Sequence, residues 1–412
     1  MDKGSINKGL RKGKWPDKEK LKMGEGSFAK IRAQVLGKGN QSIPHIITTA
    51  RVLSFKPQVI EWHAVGAGIV RGLPKEVQGQ MRRAVIGKEK VGVACDFDNT
   101  LVPTNELKRI FWVLGQDPIG NLQALGALPM INIPVGIISG NTTEYVGARC
   151  TEPLRDFILK SPFSAAIQDI ATYALNGGCI TLFNPVGGEN SGAMGSYNSK
   201  MRMPSNIHEA LYKEIVNALL TSGIKPLDKP ITIRSGLTTA QVFAPVIEDR
   251  ADVEMCLAGV PPQVRIAMVN AIKKKLPPRT RRQLNIQPAG QYSIDAMMRS
   301  LQKKNAGKDF INRFKLDLLF YLGDAVYKRK DVEGNDFSMV HNRSTQVLAV
   351  NDDRKNVPTH KQAHWIGAGP EATRNWLVWF LIERANFLYQ NYPEKQENIW
   401  DVFKYIGYLN VG

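Results

Sequence analysis

A chain of 412 residues with 43% hydrophobic and 22% charged side chains can bury a large core and has room for more than one domain. Gly, Pro or a charge interrupts every apolar run before it could cross a bilayer, and the opening Met1-Asp2-Lys3-Gly4-Ser5 carries no apolar signal core, so neither a membrane span nor a secretory leader is expected. Fifty-five Lys and Arg against 37 Asp and Glu leave a formal charge of +18, a field that attracts polyanions and phosphorylated substrates and that also serves plain solubility. The four cysteines (Cys95, Cys150, Cys179, Cys256) lie far apart in apolar surroundings without zinc spacing, which fits reduced core thiols and a cytoplasmic location.

Residues 1–40 carry Lys8, Arg11, Lys12, Lys14, Lys18, Lys20 and Lys22 with few large apolar side chains, and read as a basic flexible arm. Residues 41–89 are more apolar and read as an extension packed on the main domain, with Pro74 opening a short helix toward Arg83. A core α/β region spans 90–183. Its first strand, Val91-Gly92-Val93-Ala94-Cys95, stops at Asp96-Phe97-Asp98-Asn99-Thr100-Leu101 and leads into a helix over 105–114. A second strand, Pro134-Val135-Gly136-Ile137-Ile138, ends at Ser139-Gly140-Asn141, where Thr142 or Thr143 can cap the next helix. A hairpin turns at Asn176-Gly177-Gly178 and continues through Cys179-Ile180-Thr181-Leu182-Phe183.

Between 184 and 288 the texture changes to helices over 207–220 and 263–276 and short strands near 231–234, 240–243 and 284–286, the pattern of an α+β insertion. The chain is expected to return to the core over 289–412 with a helix at 294–303, a buried strand Leu316-Asp317-Leu318-Leu319-Phe320-Tyr321-Leu322 ending at Gly323-Asp324, and a strand Val347-Leu348-Ala349-Val350. An apolar helix over 372–388 carries Trp376, Trp379 and Phe380, whose helical spacing marks them as core.

Acidic pairs at strand ends have a bland explanation, because Asp and Asn favour turns and helix caps. They also suit chemistry, since two carboxylates held together need a cation or a shared proton, and ligands of open α/β sheets bind past the carboxyl ends of strands. Asp96-x-Asp98-x-Thr100, Ser139-Gly140-Asn141, Gly323-Asp324 and Gly334-Asn335-Asp336, in that order, resemble the haloacid-dehalogenase-like (HAD) phosphatases, and the insertion resembles the large α+β cap of their sugar-phosphatase and phosphomannomutase branch. The resemblance covers roughly residues 90–388 and implies a Rossmann-like parallel-sheet core with an inserted cap. It further implies Asp96 as nucleophile, Asp98 as acid and base, Thr100 steadying the loop through its hydroxyl, and Ser139, Gly140 and Asn141 binding phosphate. A Mg2+ ion would be held by Asp96, Asp98, Asp324 and Asp336, with Asp331 competing with Asp336 for the second acidic position.

Two departures stand out. The family places a Lys or Arg at the start of the helix before the last core strand, where this sequence reads Gly290-Gln291-Tyr292-Ser293-Ile294-Asp295, so Lys303, Lys304, Lys308 or Arg282 would have to substitute. The last signature is stretched by the basic loop Lys328-Arg329-Lys330. In the cap, Lys273, Lys274, Lys275, Arg279, Arg281 and Arg282 form a candidate polyanion-binding segment, or a solvated helix end whose cations favour its dipole. Two functions therefore compete. One is a Mg2+-dependent phosphohydrolase acting on a phosphorylated small molecule; the other is a weak or inactive scaffold that holds nucleic acid or an acidic partner through its basic arm and cap.

Overall fold

The computed structural model describes residues 54–103, 117, 119–141, 143–183, 193–197, 203–221, 240–242, 252–257, 262–289, 293–329 and 332–410. The basic arm, the helix expected over 105–114, the strand near 231–234 and Asp331 lie outside these residues.

Two helices, α1 (Pro57–Arg71) and α2 (Lys75–Val85, with Pro74 at its N-cap), precede the sheet domain. Strand β1 (Val91–Cys95) follows, then α3 (Asn121–Met130) and β2 (Val135–Ile138). Helix α4 (Thr143–Val146) runs through a π turn into α5 (Glu152–Leu159), and β3 (Ile170–Ala174), β4 (Cys179–Phe183) and β5 (Ala193–Tyr197) complete this half. An inserted module holds α6 (Ser205–Thr221), β6 (Ala240–Val242), β7 (Asp252–Leu257), α7 (Pro262–Lys275), α8 (Pro278–Gln283), β8 (Leu284–Ala289) and β9 (Ser293–Met298). The second half carries α9 (Lys303–Phe314), β10 (Leu318–Gly323), the hairpin β11 (Lys328–Arg329) and β12 (Val332–Glu333), β13 (Thr345–Ala349), β14 (Ala363–Trp365), α10 (Gly369–Asn391) and α11 (Gln396–Tyr405).

The main sheet runs β14-β13-β10-β1-β2-β3-β4-β5. Its first six strands are parallel; β4 runs antiparallel to both its neighbours, β3 and β5. Every residue of β1, β2, β10 and β13 is buried, which is why β1, β2 and β10 read as unbroken apolar runs rather than alternating ones. Strand β1 is central, with β2 on one side and β10 on the other, and the chain leaves β1 in opposite directions to reach them. That reversal opens a crevice beyond the carboxyl ends of the three strands. Helix α9 covers one face through Phe310, which packs with Tyr173, Leu319 and Tyr321. Helix α10 covers the other, its buried Trp376 and Phe380 stacked at 5.3 Å beside Phe320, so the aromatic stripe is core as the spacing predicts. Cys95, Cys150 and Cys179 are buried free thiols.

The inserted module is a separate four-stranded antiparallel sheet, β6-β7-β9-β8, backed by α6 and α7 around Leu211, Ile272, Ile286 and Ala296. Its boundaries differ from the sequence expectation. Strand β5 pairs with β4 and extends the core sheet to Tyr197, while residues 293–298, expected to begin a helix, form β9 between β7 and β8. Ile294 and Ala296 point into the cap core, so a strand period governs where a helical one was expected.

Candidate active site

Asp96 follows β1 directly, and its backbone N–H still bonds to Leu322 O, so the end of β1 is stitched to the end of β10. The chain then turns tightly. Asn99 adopts a left-handed φ of 55°, and Asn99 N–H to Val102 O (2.7 Å) and Leu101 N–H to Phe97 O (3.0 Å) close the loop. Asn tolerates that conformation better than most side chains. The Thr100 hydroxyl is fully buried and makes no hydrogen bond among the described residues, so backbone bonds steady this loop where the hydroxyl was expected to.

Of the cations that could stand in for the absent lysine, Lys303 lies beside Asp96. Because residues 293–298 belong to the inserted sheet, the helix before β10 starts nine residues later than expected, and Lys303 is its first residue. Its side chain is 0% exposed and its Nζ lies 2.8 Å from Asp96 Oδ2 and 2.6 Å from Asp336 Oδ1. Burial by itself would lower a lysine, yet Asp336 and Asp96 outweigh it and hold Lys303 above its ordinary value. Ser293, which occupies the expected register, sits on the cap strand instead.

The stretched signature also closes. Strands β11 and β12 pair as a hairpin whose base is tied by Gly334 N–H to Tyr327 O (2.9 Å), so the insertion loops out and returns the chain to where it left. Asp336 then comes back under β10. It accepts from Lys303, from Tyr321 Oη (2.5 Å) and from Ala325 N–H (2.8 Å). Two glycines permit this: a Cβ on Gly323 would stand 2.5 Å from Asp336 Oδ2, and one on Gly334 would stand 1.9 Å from Ala325 O.

Asp96, Asp324 and Asp336 each place a carboxylate oxygen within 4.8 Å of the others. Three carboxylates face one ammonium, which leaves the cluster two negative charges in excess. Burial is the largest influence on Asp96 and pushes it up to about 7; Lys303 resists, and Asp336 and Asp98 add to the rise. Asp324 is pushed well up by burial and then by Asp336 and Asp96, opposed by the charge of Lys303 and then by a hydrogen bond from the Asn99 side chain. An all-oxygen donor set with surplus negative charge fits a hard divalent cation such as Mg2+. The Asp98 carboxylate is outside this group; Asn141 Nδ2 (2.8 Å) and Tyr145 Oη (3.4 Å) donate to it. Ser139 is fully buried and its Oγ accepts from both Asn141 N–H (3.2 Å) and Asn141 Nδ2 (3.1 Å), so its own proton is available to an incoming oxyanion.

The sequence reading thus named Asp96, Asp98, Ser139, Asn141, Asp324 and Asp336, and the fold gathers them at one crevice. It passed over Asn99, Tyr145 and Tyr321, whose roles depend on tertiary contact. Lys303 was readable from the alternating Ile294 and Ala296, which mark a strand and delay the helix. The cap cations lie elsewhere: Arg279, Arg281 and Arg282 are exposed on α8, and Lys273, half-buried on α7, is pulled down by burial and by the charge of Arg299.

No protein-family model matches the sequence, and no curated protein matches it. Solved structures are similar in fold. An N-terminally truncated IMP-nucleotidase of Plasmodium falciparum is 12% identical with a TM-score of 0.48, covering 74% of this chain and 73% of its own. The trehalose-6-phosphate phosphatase of Aspergillus fumigatus is 10% identical with a TM-score of 0.41, covering 73% of this chain and 96% of its own. The sucrose-phosphatase of Synechocystis is 13% identical with a TM-score of 0.43, covering 71% and 98%. These structural neighbours are HAD-superfamily phosphatases. Among the described residues, no helix is long and apolar enough to cross a membrane.

Proposed function

We propose that this chain is a Mg2+-dependent phosphohydrolase that removes phosphate from a phosphorylated small molecule, a sugar phosphate or similar monoester, through an aspartyl-phosphate. The clamp of buried Lys303 between Asp96 and Asp336, at the mouth of the crevice, carries this reading. In the first step an Asp96 oxygen attacks phosphorus, the bond from phosphorus to the ester oxygen breaks, and that oxygen takes a proton from the Asp98 carboxyl group. In the second step water attacks phosphorus and gives its proton to Asp98, and the bond to Asp96 breaks to return a carboxylate and inorganic phosphate.

Phe97 N–H (2.8 Å) and Lys303 each hold one Asp96 oxygen, which fixes the direction of attack. Ser139 donates its free proton to a phosphoryl oxygen, and Asn141, by touching both Ser139 and Asp98, keeps the phosphate-binding and proton-transfer groups in register. Asp96, the Asp98 loop and Asp324 would hold Mg2+, which when bound neutralises charge on the phosphoryl oxygens. Asp336, its two oxygens already committed to three donors, acts chiefly by positioning Lys303.

The competing reading, an inactive scaffold for a polyanion, drew its force from an absent lysine. Lys303 beside Asp96 removes that support and leaves it the +18 charge, the basic arm and the basic surface of α8. Phosphate release from p-nitrophenyl phosphate, with Mg2+ and with EDTA, tests the proposal. Asp96→Asn is expected to lower the Mg2+-dependent rate by about 10^3-fold or more. Turnover that survives this change, or that ignores EDTA, would overturn it.

A further inference from the structure

Beside the catalytic crevice lies a cleft of about 280 Å3 between cap and core. Its walls carry five carboxamides: Asn176, Gln302 and Asn335 from the core side, Asn285 and Gln287 from β8 of the cap. No Phe, Tyr or Trp is among its described lining residues, and His341 is the one aromatic ring among them. Asn285 Nδ2 donates to Gln287 Oε1 (3.1 Å), so those two partly satisfy each other. Asn176 and Asn335 do not. Each keeps a buried Oδ1 that accepts no hydrogen bond among the described residues.

Asn176 is the more constrained of the two. It is 5% exposed and holds a left-handed φ of 54°; its backbone N–H donates to Ser139 O (2.8 Å), while Leu175 N–H donates to Asn141 O (2.8 Å). The turn is therefore fastened to the phosphate-binding loop. A Cβ added at Gly140 would lie 3.5 Å from Asn176 Oδ1 and 3.7 Å from Asn335 Nδ2, so both amides border that loop. On its far side Asn176 Nδ2 reaches Met297 Sδ on β9 (3.5 Å), a weak acceptor that leaves the amide underused. A buried polar atom without a partner is costly and calls for a donor that arrives with a ligand.

We infer that Asn176 is a specificity-determining residue whose carboxamide, with Asn335 beside it, accepts a hydrogen bond from a hydroxyl carried next to the phosphoester carbon, so that the site selects phosphomonoesters of vicinal diols over their deoxy counterparts. This rests on the phosphohydrolase reading above. It adds a recognition element that the reacting groups do not contain.

Glycerol 1-phosphate and 3-hydroxypropyl phosphate differ only in the hydroxyl next to the ester carbon, and p-nitrophenyl phosphate has none. The wild-type chain is expected to favour glycerol 1-phosphate in kcat/KM by about 10–100-fold. Asn176→Gly accepts the same positive φ and removes the carboxamide, and the preference is expected to fall to within about threefold of unity. A purely structural role would lower both rates and leave their ratio intact. Hydrolysis of p-nitrophenyl phosphate without a preference in the wild type, or with the preference intact in Asn176→Gly, overturns the assignment while the phosphohydrolase stands. Absence of Mg2+-dependent hydrolysis of all three esters overturns both.

Discussion

Lys303→Met is the most incisive perturbation of the site. The methionine fills similar volume but leaves Asp96 and Asp336 without their shared cation at 2.8 and 2.6 Å. Asp336, whose side chain is 0% exposed, then keeps only Tyr321 Oη and Ala325 N–H as neutral donors. Breaking a buried pair from one side typically costs about 3–5 kcal/mol, because a charge remains that water cannot reach. Mg2+ can relieve Asp96 but not Asp336, so the loss should fall toward about 3 kcal/mol with Mg2+ present and toward about 5 without it. Adding Asp336→Asn removes the stranded charge and should return more than half of the loss, although each change alone is harmful. Urea unfolding followed by tryptophan fluorescence reads this, since Trp376 is buried in the core helix α10. A single variant within about 1 kcal/mol of the wild type without Mg2+, or a double variant weaker than the single, would refute the reasoning. The same substitution should lower the Mg2+-dependent rate on p-nitrophenyl phosphate by about 10^2–10^3-fold, since it removes a fixed charge from the reacting centre.

Three further outcomes can be checked separately. Replacing residues 328–333 by Asn-Gly should keep Mg2+-dependent activity within about tenfold, because the Tyr327–Gly334 bond closes the hairpin below the excised part; a larger loss would mean the hairpin itself shapes the site. Gly66→Ala should destabilise the chain by about 1–3 kcal/mol in urea, because the new methyl would stand 2.2 Å from Asn375 O and 2.5 Å from Trp379 Cβ where α1 meets α10; an unchanged midpoint would contradict that close approach. Arg279→Glu, Arg281→Glu and Arg282→Glu together should lower the salt concentration that elutes the protein from heparin; unchanged elution would place polyanion attraction elsewhere in the chain.

The sequence alone determined which segments are buried on both faces and where each stops. Val91-Gly92-Val93-Ala94-Cys95 and the run into Gly323-Asp324 are continuous apolar strands ended by carboxylates, and such runs are stable only inside a covered parallel sheet. Their order along the chain, with a module of different period between them, was enough to predict a parallel-sheet core with an inserted second sheet, and acidic residues at neighbouring strand ends. Tertiary structure decided what completes that site. Lys303 lies more than two hundred residues from Asp96, and the only local hint of it is the alternation of Ile294 and Ala296; it comes to lie against Asp96 and Asp336 because β9 joins the inserted sheet and delays α9 until Lys303 is its first residue. The hairpin between Asp324 and Asp336 looked like a break in the signature, yet antiparallel pairing erases its length. Charge and hydrogen-bond balance are properties of what surrounds a group in space. The burial of Asp96 beside Lys303, Asp336 and Asp98, and the Asn176 amide oxygen that accepts no bond among the described residues, therefore came into view only once the strands were laid side by side.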